Sequence, residues 1–234
     1  MTLITNLAWL HSQGAAAALR DLRASGQLAA TLPEVDALYG VPQNPDHHPE
    51  ICTGIHTEMC LEMAERLNAT PAAKFAVLVH DLGKALTPKH ELPKHVDHET
   101  RGLPPVAAVC ERMGVPEAWR VLALAVCEYH LDAHRALEMR SQSVLRLVER
   151  AGLHNDAQYA EDFLTACEAD KRGRLGKEDN PYHQGQFLRR VLSATERLPA
   201  LSVEQKPSRE WQDRHAARLN VVREARSSLG LLKT

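Results

Sequence analysis

Apolar residues recur at the spacing of an α-helix through almost the whole chain, and this feature limits the possible folds most strongly. In residues 51–68, for example, apolar side chains return every three or four positions, and charged side chains occupy the opposite face. The 234-residue chain has only three isoleucines, few aromatic residues and no clear alternation of apolar and polar residues. The pattern therefore predicts an all-α fold.

Proline and glycine residues interrupt this pattern and indicate where helices begin and end. Helices are predicted near 3–25, 51–68, 71–82, 98–113, 116–131, 141–151, 156–171, 183–197 and 206–228. Because Pro104 and Pro105 fall inside the segment 98–113, we expect that helix to start late or to bend there. Two long loops, 39–50 and 173–185, separate predicted helices.

The chain is long enough for one domain with a sizeable core, around which further helices pack. We predict an N-terminal helical extension at 1–40, a core domain at 41–197 and a basic C-terminal helix at 198–234. Residues 187–234 carry ten Lys and Arg against five Asp and Glu. Such a surface could meet phosphates, although a solvated basic face is the commoner case.

Composition excludes several classes of protein. No apolar run approaches the roughly 20 residues that a bilayer-spanning helix needs. The start of the chain lacks the basic leader and the small-residue cleavage site of a secretory signal, so we expect none. The five cysteines are an odd number without a CxxC pair, which predicts reduced core residues of a cytoplasmic protein. The net charge of -2 gives no general attraction to nucleic acid.

Several predicted helices carry a residue that can bind a metal on their apolar face. These residues are His56, His80, Asp81, His130 and Asp170. Each alone has an ordinary explanation, such as a hydrogen-bonded core histidine or a capping aspartate. Together they are harder to explain, because three buried imidazoles all need partners. A divalent cation would satisfy the whole set, and nitrogen and oxygen ligands without thiolates suit Mn, Fe, Co, Ni, Zn or Mg.

Together with His98, these residues resemble the H…HD…H…H…D signature of the HD-domain metal-dependent phosphohydrolases. The strings LPEVDALYGVPQNPDHHPEICTGIHT, VLVHDLGKALTP, EYHLDAH and EADKRGR are similar to the C-terminal HD domain of bacterial CCA-adding enzymes, the multifunctional tRNA nucleotidyltransferases. The likeness covers roughly residues 15–195. It implies an HD-domain helical bundle with additional flanking helices.

One departure from those enzymes concerns their polymerase head. The chain has no Gly-Gly dipeptide and no predicted strand that could carry the GGxVRD-like motif of that head. We therefore expect the nucleotidyltransferase head to be absent. Whether the chain is a free-standing protein or an excised domain is left open.

The resemblance implies a role for each residue of the signature. The primary metal ion would be held by His56, His80, Asp81 and Asp170. Asp81 would bridge to a second ion, held by His98 and His130. Lys84 would act with Asp81 in catalysis and contact a phosphate, although a lysine at a helix end is often only solvated.

Further basic residues and histidines are weaker candidates. Arg172 and Arg174 could clamp substrate phosphates in bidentate fashion, and Arg101 could orient a substrate. For all three, an ordinary surface role is at least as common. His134 could act in ligation or proton transfer, and the loop residues 47 and 48, both histidines, could close over a substrate.

Similar domains act as phosphodiesterases on 2',3'-cyclic nucleotides and as phosphatases on 2'-nucleotides, which suits work on RNA 3' ends. The resemblance thus implies a phosphohydrolase with one or two divalent ions and a nucleotide or tRNA 3' end as substrate. Two alternatives stay open. One is a non-catalytic tRNA-binding module that acts with a separate nucleotidyltransferase. The other is the same chemistry on nucleoside monophosphates or alarmone-type nucleotides.

Covalent catalysis is not indicated by the sequence. There is no GxSxG motif, and the cysteines lie on the apolar faces of predicted helices, with no evident paired histidine except for Cys60, one helical turn from His56. We expect no membrane partner and a cytoplasmic location, and a homodimer is left open.

Overall fold

The computed structural model of the chain describes residues 3–196, 198 and 209–230. The α-helices are α1 (Ala15–Ala24), α2 (Gln27–Thr31), α3 (Pro33–Asp36), α4 (Thr53–Arg66), α5 (Pro71–Val79), α6 (His98–Met113), α7 (Glu117–Arg135), α8 (Ser141–Arg150), α9 (Ala157–Arg172), α10 (His183–Thr195) and α11 (Arg209–Ser227). Three 3-10 helices accompany them, at Leu3–His11, Leu82–Leu86 and Lys89–Glu91. No strand occurs among the described residues, so the all-α prediction is confirmed.

The N-terminal region differs from its prediction. The single helix predicted over 3–25 is a 3-10 helix followed by α1, with a break at Gly14. The hydroxyl of Ser12 donates to Trp9 O (2.7 Å) and accepts from Gly14 N (3.1 Å). A serine hydroxyl that bonds to its local backbone competes with the helical ladder, and glycine adds little helix propensity.

Other helix bounds follow the predictions closely. The helix with Pro104 and Pro105 inside it starts at His98, not after the prolines. α7 continues four residues beyond its predicted end, to Arg135. The predicted ends at 197 and 206 lie outside the described residues. Among the described helices, none is long and apolar enough to cross a bilayer.

Two compact units make up the chain. The first comprises Met1–His130 and Glu161–Pro181, and the second comprises Leu131–Ala160 and Tyr182–Thr234. The predicted division into 1–40, 41–197 and 198–234 stays a prediction.

α5 forms the centre of the first unit. It begins at a Thr70 cap, whose hydroxyl accepts from Ala73 N at 3.1 Å, with Pro71 in its first turn. Every residue from Ala73 to Val79 is buried, as is typical of a helix that is surrounded by others. α5 therefore delivers the residues that follow it, His80 and Asp81, to the middle of the core.

Two glycines allow a close backbone approach beside this point. A Cβ at Gly83 would overlap His98 O, and a Cβ at Gly102 would lie 2.6 Å from Cys127 Sγ. Because neither residue has a side chain, the 3-10 helix Leu82–Leu86 packs directly against the first turn of α6. This packing brings His98 next to Asp81.

In the second unit, α11 packs against α8 and α10. Arg226 of α11 donates to Met139 O at 2.6 Å, and its guanidinium lies 5.3 Å from the centre of the Phe187 ring. Val222 is fully buried. One face of α11 is thus packed, and its other described side chains are half-buried or exposed.

Candidate metal centre

The six residues predicted as metal ligands converge inside the first unit. They are His56 on α4, His80 and Asp81 directly after α5, His98 at the start of α6, His130 on α7 and Asp170 on α9. None is more than 5% exposed. Four of the six are histidines, and they face two carboxylates.

Main-chain carbonyls determine which nitrogen of each histidine carries a proton. Each Nδ1 donates to a backbone oxygen. The acceptors are Gly173 O for His56 (3.1 Å), Val77 O for His80 (2.7 Å), His95 O for His98 (2.8 Å) and Val126 O for His130 (3.0 Å). A neutral imidazole has one N–H, so Nε2 of each ring is left as an acceptor. Histidines that bind metals are commonly oriented in this way.

The two oxygens of Asp81 face different histidines. Oδ2 lies 3.2 Å from His80 Nε2 and 3.8 Å from His56 Nε2. Oδ1 lies 3.3 Å from His98 Nε2 and 3.9 Å from His130 Nε2. Asp81 is therefore positioned between two groups of ligand atoms, as a bridging carboxylate must be.

Asp170 completes the first of these groups. Its Oδ1 lies 3.1 Å from His56 Nε2 and 3.8 Å from His80 Nε2. Two imidazoles and two carboxylates thus surround one position, whereas two imidazoles and the far oxygen of Asp81 surround the other.

The donor atoms fit a divalent cation better than they fit one another. His80 Nε2 and both carboxylate oxygens of Asp81 are buried and make no aligned hydrogen bond with any described residue, although Oδ2 of Asp81 forms the ion pair with Lys84 Nζ at 2.7 Å. If the rings of His56, His98 and His130 are neutral, their Nε2 lone pairs face carboxylate oxygens at these distances, and burying acceptors in this way is costly. At His80, burial lowers the pKa of the imidazole, but the charge of Asp81 outweighs burial and raises this pKa. A cation would accept all of these lone pairs at once. The ligand set of nitrogen and oxygen suits Mn, Fe, Co, Ni, Zn or Mg.

One basic side chain accompanies each carboxylate. Lys84 is 6% exposed, and its Nζ lies 2.7 Å from Asp81 Oδ2. Arg174 Nη2 lies 3.2 Å from Asp170 Oδ1. Two of the candidates for substrate binding, Lys84 and Arg174, therefore lie at the centre.

Arg101 and Arg172 instead form ion pairs with neighbouring acidic residues. Arg101 Nη2 lies 3.1 Å from Glu91 Oε2. Arg172 Nη1 lies 2.7 Å from Glu168 Oε1, and its Nη2 donates to Glu178 O at 2.8 Å. Their predicted role in substrate binding stays a prediction.

The remaining predicted histidines have different surroundings. His134 belongs to the second unit, where its Nδ1 lies 3.1 Å from the Tyr182 hydroxyl. His47 is exposed. His48 is half-buried, and its ring contacts the His56 ring edge to face, with centres 4.6 Å apart.

The charges of the centre shift the pKa values of its groups. Burial alone would raise the pKa of Asp81, but His80 and Lys84 outweigh it and hold this pKa well below its usual range. Burial lowers the pKa of His130 well below its ordinary value, and nearby His80 lowers it further. His130 is therefore neutral at physiological pH and able to bind a metal.

Cys60 lies beside the centre but is unsuited to be a nucleophile. Its Sγ lies 3.4 Å from His56 Nε2. Complete burial raises the pKa of its thiol well above the ordinary value, and the negative charge of Asp170 adds to this effect. The thiolate needed for attack is therefore disfavoured.

Two residues that support His56 were not found from the sequence. Glu50 Oε1 lies 3.1 Å from His56 Nδ1 and 2.9 Å from His48 Nδ1. Gly173 packs so closely against the backbone of Cys60 that a Cβ there would lie 2.5 Å from Cys60 Cα. Both stand in the predicted loops, where no periodicity indicates the direction of a side chain.

Comparisons with known proteins agree with this geometry. The HD domain family model matches residues 53–171. The chain is 48% identical to the multifunctional CCA protein of Acinetobacter baumannii (strain ACICU) over 173 residues, which are 74% of this chain and 42% of the relative. It is 49% identical to that of Alkalilimnicola ehrlichii over 183 residues, 77% of this chain and 44% of the relative.

A third relative has a similar degree of likeness. The multifunctional CCA protein of Xanthomonas campestris pv. campestris is 48% identical over 186 residues, 79% of this chain and 45% of the relative. The chain thus spans less than half the length of these curated relatives. The matched range contains all six converging residues, and the protein belongs to the HD-domain family.

Proposed function

We propose that the protein is a metal-dependent phosphohydrolase that acts as a phosphodiesterase on 2',3'-cyclic nucleotides and as a phosphatase on 2'-nucleotides or RNA 3' ends. The observation that carries the proposal is the division of the Asp81 oxygens between two pairs of histidines, with Lys84 beside one of them. This arrangement suits one or two divalent ions and an anionic substrate.

The side chains of the centre have distinct parts in this proposal. His56, His80, Asp81 and Asp170 would hold the first ion, and His98 and His130 would hold a second. A divalent ion, when bound, supplies a Lewis acid and a source of hydroxide near neutral pH. Lys84 and Arg174 would hold the phosphoryl oxygens and stabilise the negative charge that grows on them.

Lys84 has a second task in the proposal. Its ammonium forms an ion pair with Asp81 Oδ2 at 2.7 Å, the oxygen nearest to His80. In the metal-loaded protein, Lys84 would share this oxygen less and would be free to contact the phosphoryl group, where its positive charge would assist the reaction.

The choice of substrate is supported by the relatives, which are named multifunctional CCA proteins. That name supports a tRNA 3' end as the substrate. We also propose a cytoplasmic location, since the four buried cysteines and Cys52 are free thiols, as is usual in a reducing compartment.

The test is a screen of the purified protein with 2',3'-cyclic AMP and 2'-AMP across Ni, Co, Mn, Mg and Zn. Asp81→Asn removes the shared charge but keeps the shape of the side chain. We expect the metal-stimulated rate to fall by about 1000-fold or more, which is about 4 kcal/mol of transition-state stabilisation. Elemental analysis should show that bound metal is lost as well.

Asp21→Asn, on the exposed surface of α1, is the matched control and should keep both activity and metal content. Equal activity and metal content in Asp81→Asn would contradict the proposal. If the wild-type protein binds tRNA tightly and in a salt-sensitive manner but hydrolyses no substrate with any ion, the alternative of a non-catalytic tRNA-binding module would replace it.

A further inference from the structure

Gln43 is a buried polar residue beside the centre to which the proposed mechanism gives no role. It stands in the segment before α4 and is 2% exposed. Its backbone is held on both sides. Gln43 N donates to Ile51 O at 2.6 Å, and the preceding carbonyl, Pro42 O, lies 2.9 Å from His95 Nε2. These hydrogen bonds fix the backbone of Gln43 in the folded protein.

The orientation of the Gln43 amide is determined by its neighbour. Oε1 accepts from Lys84 Nζ at 2.6 Å. Because an ammonium group has only donors, the opposite orientation would set the two donors against each other. The amide nitrogen is thus the free end of the side chain.

That nitrogen has no partner among the described residues. Gln43 Nε2 is buried and makes no hydrogen bond there. A buried donor without an acceptor is destabilising, and such groups are rare in folded proteins. A metal ion cannot relieve it, because an amide NH2 group offers hydrogens and not a lone pair. An anionic oxygen can.

A second buried donor without a hydrogen bond to a described residue is Nε of Arg174, whose guanidinium lies beside the carboxylate of Asp170. Nη2 of the same guanidinium lies 3.2 Å from Asp170 Oδ1. Asp170 therefore has beside it a guanidinium with an unused donor, and Lys84, the ion-pair partner of Asp81, has beside it an amide with an unused donor. Gln43 differs from Arg174 and Lys84 in carrying no charge.

We infer that Gln43 is a substrate-binding residue, whose Nε2 donates a hydrogen bond to a non-bridging phosphoryl oxygen of the substrate beside Lys84. The inference rests on the proposed phosphohydrolase function and adds a residue to it. The amide also holds Lys84 through Oε1, so one side chain orients the ammonium and contacts the same phosphoryl group.

Gln43→Glu is the sharpest test, because it keeps the size of the side chain and the acceptor for Lys84. It replaces the free NH2 with a charged oxygen that repels phosphate. We expect the dissociation constant for inorganic phosphate, measured by calorimetry on the nickel-loaded protein, to rise at least 10-fold. Bound nickel should match the wild type, whereas the metal-free protein should melt at a lower temperature, because the new carboxylate is buried.

Gln27→Glu, at an exposed position on α2, adds the same charge elsewhere and should leave phosphate binding unchanged. Gln43→Met removes the donor without adding charge, and we expect a rise of about 3- to 10-fold. If Gln43→Glu alters nickel content or stability, phosphate binding by Gln43→Met decides whether Gln43 Nε2 contacts phosphate. Phosphate binding as tight in Gln43→Met as in the wild type would overturn the inference.

The result can be separated from the fate of the proposed function. If the wild type hydrolyses cyclic nucleotides while both Gln43 variants bind phosphate normally, the inference falls and the function stands. If the wild type binds phosphate but hydrolyses nothing, weaker binding in both variants still supports the contact, and the function falls.

Discussion

The two sides of the Asp81 carboxylate offer a cation different surroundings. On the Oδ2 side are two imidazoles, the carboxylate of Asp170 and the ammonium of Lys84. On the Oδ1 side are the imidazoles of His98 and His130, whose Nε2 atoms are 3.4 Å apart. The Oδ2 side has two carboxylates, whereas the Oδ1 side has one. The Oδ2 side also has the positive charge of Lys84.

This difference indicates unequal affinities. Two carboxylates attract a divalent ion more strongly than one shared carboxylate does, because the charge of the ligand set is larger. The Oδ2 side should therefore fill first and hold its ion through dilution. The Oδ1 side should fill only when metal is supplied in excess.

The largest expected effect is the difference in activity and bound metal between Asp170→Asn and His98→Asn. Asp170→Asn removes half of the carboxylate charge on the Oδ2 side, and we expect activity to fall by about 1000-fold, or about 4 kcal/mol. His98→Asn affects only the Oδ1 side and should cost about 10- to 100-fold. Elemental analysis after desalting should show metal lost from the first variant and retained by the second.

His90→Asn, at an exposed position outside the centre, serves as the control for the histidine change. If His98→Asn loses its tightly bound metal while Asp170→Asn keeps it, the order of the two sides is reversed.

A smaller effect should come from Lys84, the cation on the Oδ2 side. Lys84→Met leaves the buried charge of Asp81 without its ammonium partner. We expect the free energy of unfolding of the metal-free protein to fall by about 3 kcal/mol, because breaking a buried ion pair leaves a buried charge uncompensated. Denaturant unfolding with and without metal measures this.

Added nickel should restore most of the lost stability, because a bound divalent ion compensates the same charge. Lys89→Met, at an exposed position, should change stability little in either condition. A Lys84→Met protein as stable as the wild type without metal would show that Lys84 does not compensate Asp81.

The smallest effect should come from Gly173→Ala, which acts on His56 indirectly. The added Cβ would collide with the backbone of Cys60 and displace the carbonyl that accepts from His56 Nδ1. Changes to groups that orient a metal ligand typically cost about 10- to 100-fold in metal affinity. We expect that loss for the tightly held ion, measured by competition with a chelator.

Gly14→Ala is the matched control, since its nearest neighbour is 3.9 Å away and its φ is negative. Metal affinity unchanged in Gly173→Ala would mean that the carbonyl of residue 173 does not orient His56.

Most of the helices could be predicted because each repeats a local pattern. The helices from α4 to α10 agree with the predicted ranges within a few residues, since apolar spacing, prolines and glycines act within a turn or two. The region before residue 40 was predicted less well. There Ser12 and Gly14 interrupt the apolar pattern, and the short helices α2 and α3 have too few residues to show a period.

The candidate ligands could be predicted for a related reason. His56, His130 and Asp170 continue apolar stripes, so the sequence alone indicates that they point inward. Glu50, Gln43 and Gly173 lie in irregular segments, where the direction of a side chain depends on distant parts of the chain. No local pattern could have indicated them.

The sequence by itself determined the helical class of this protein, the identity of its inward-facing imidazoles and carboxylates, and the family to which it belongs. Only the tertiary structure decided which nitrogen of each ring faces the centre, how the two oxygens of Asp81 are divided, and which loop residues lie beside Lys84. The physical reason is the sequence separation over which each kind of interaction acts. Helix periodicity and side-chain chemistry act over a few residues, whereas these contacts join residues as far apart as His56 and Gly173.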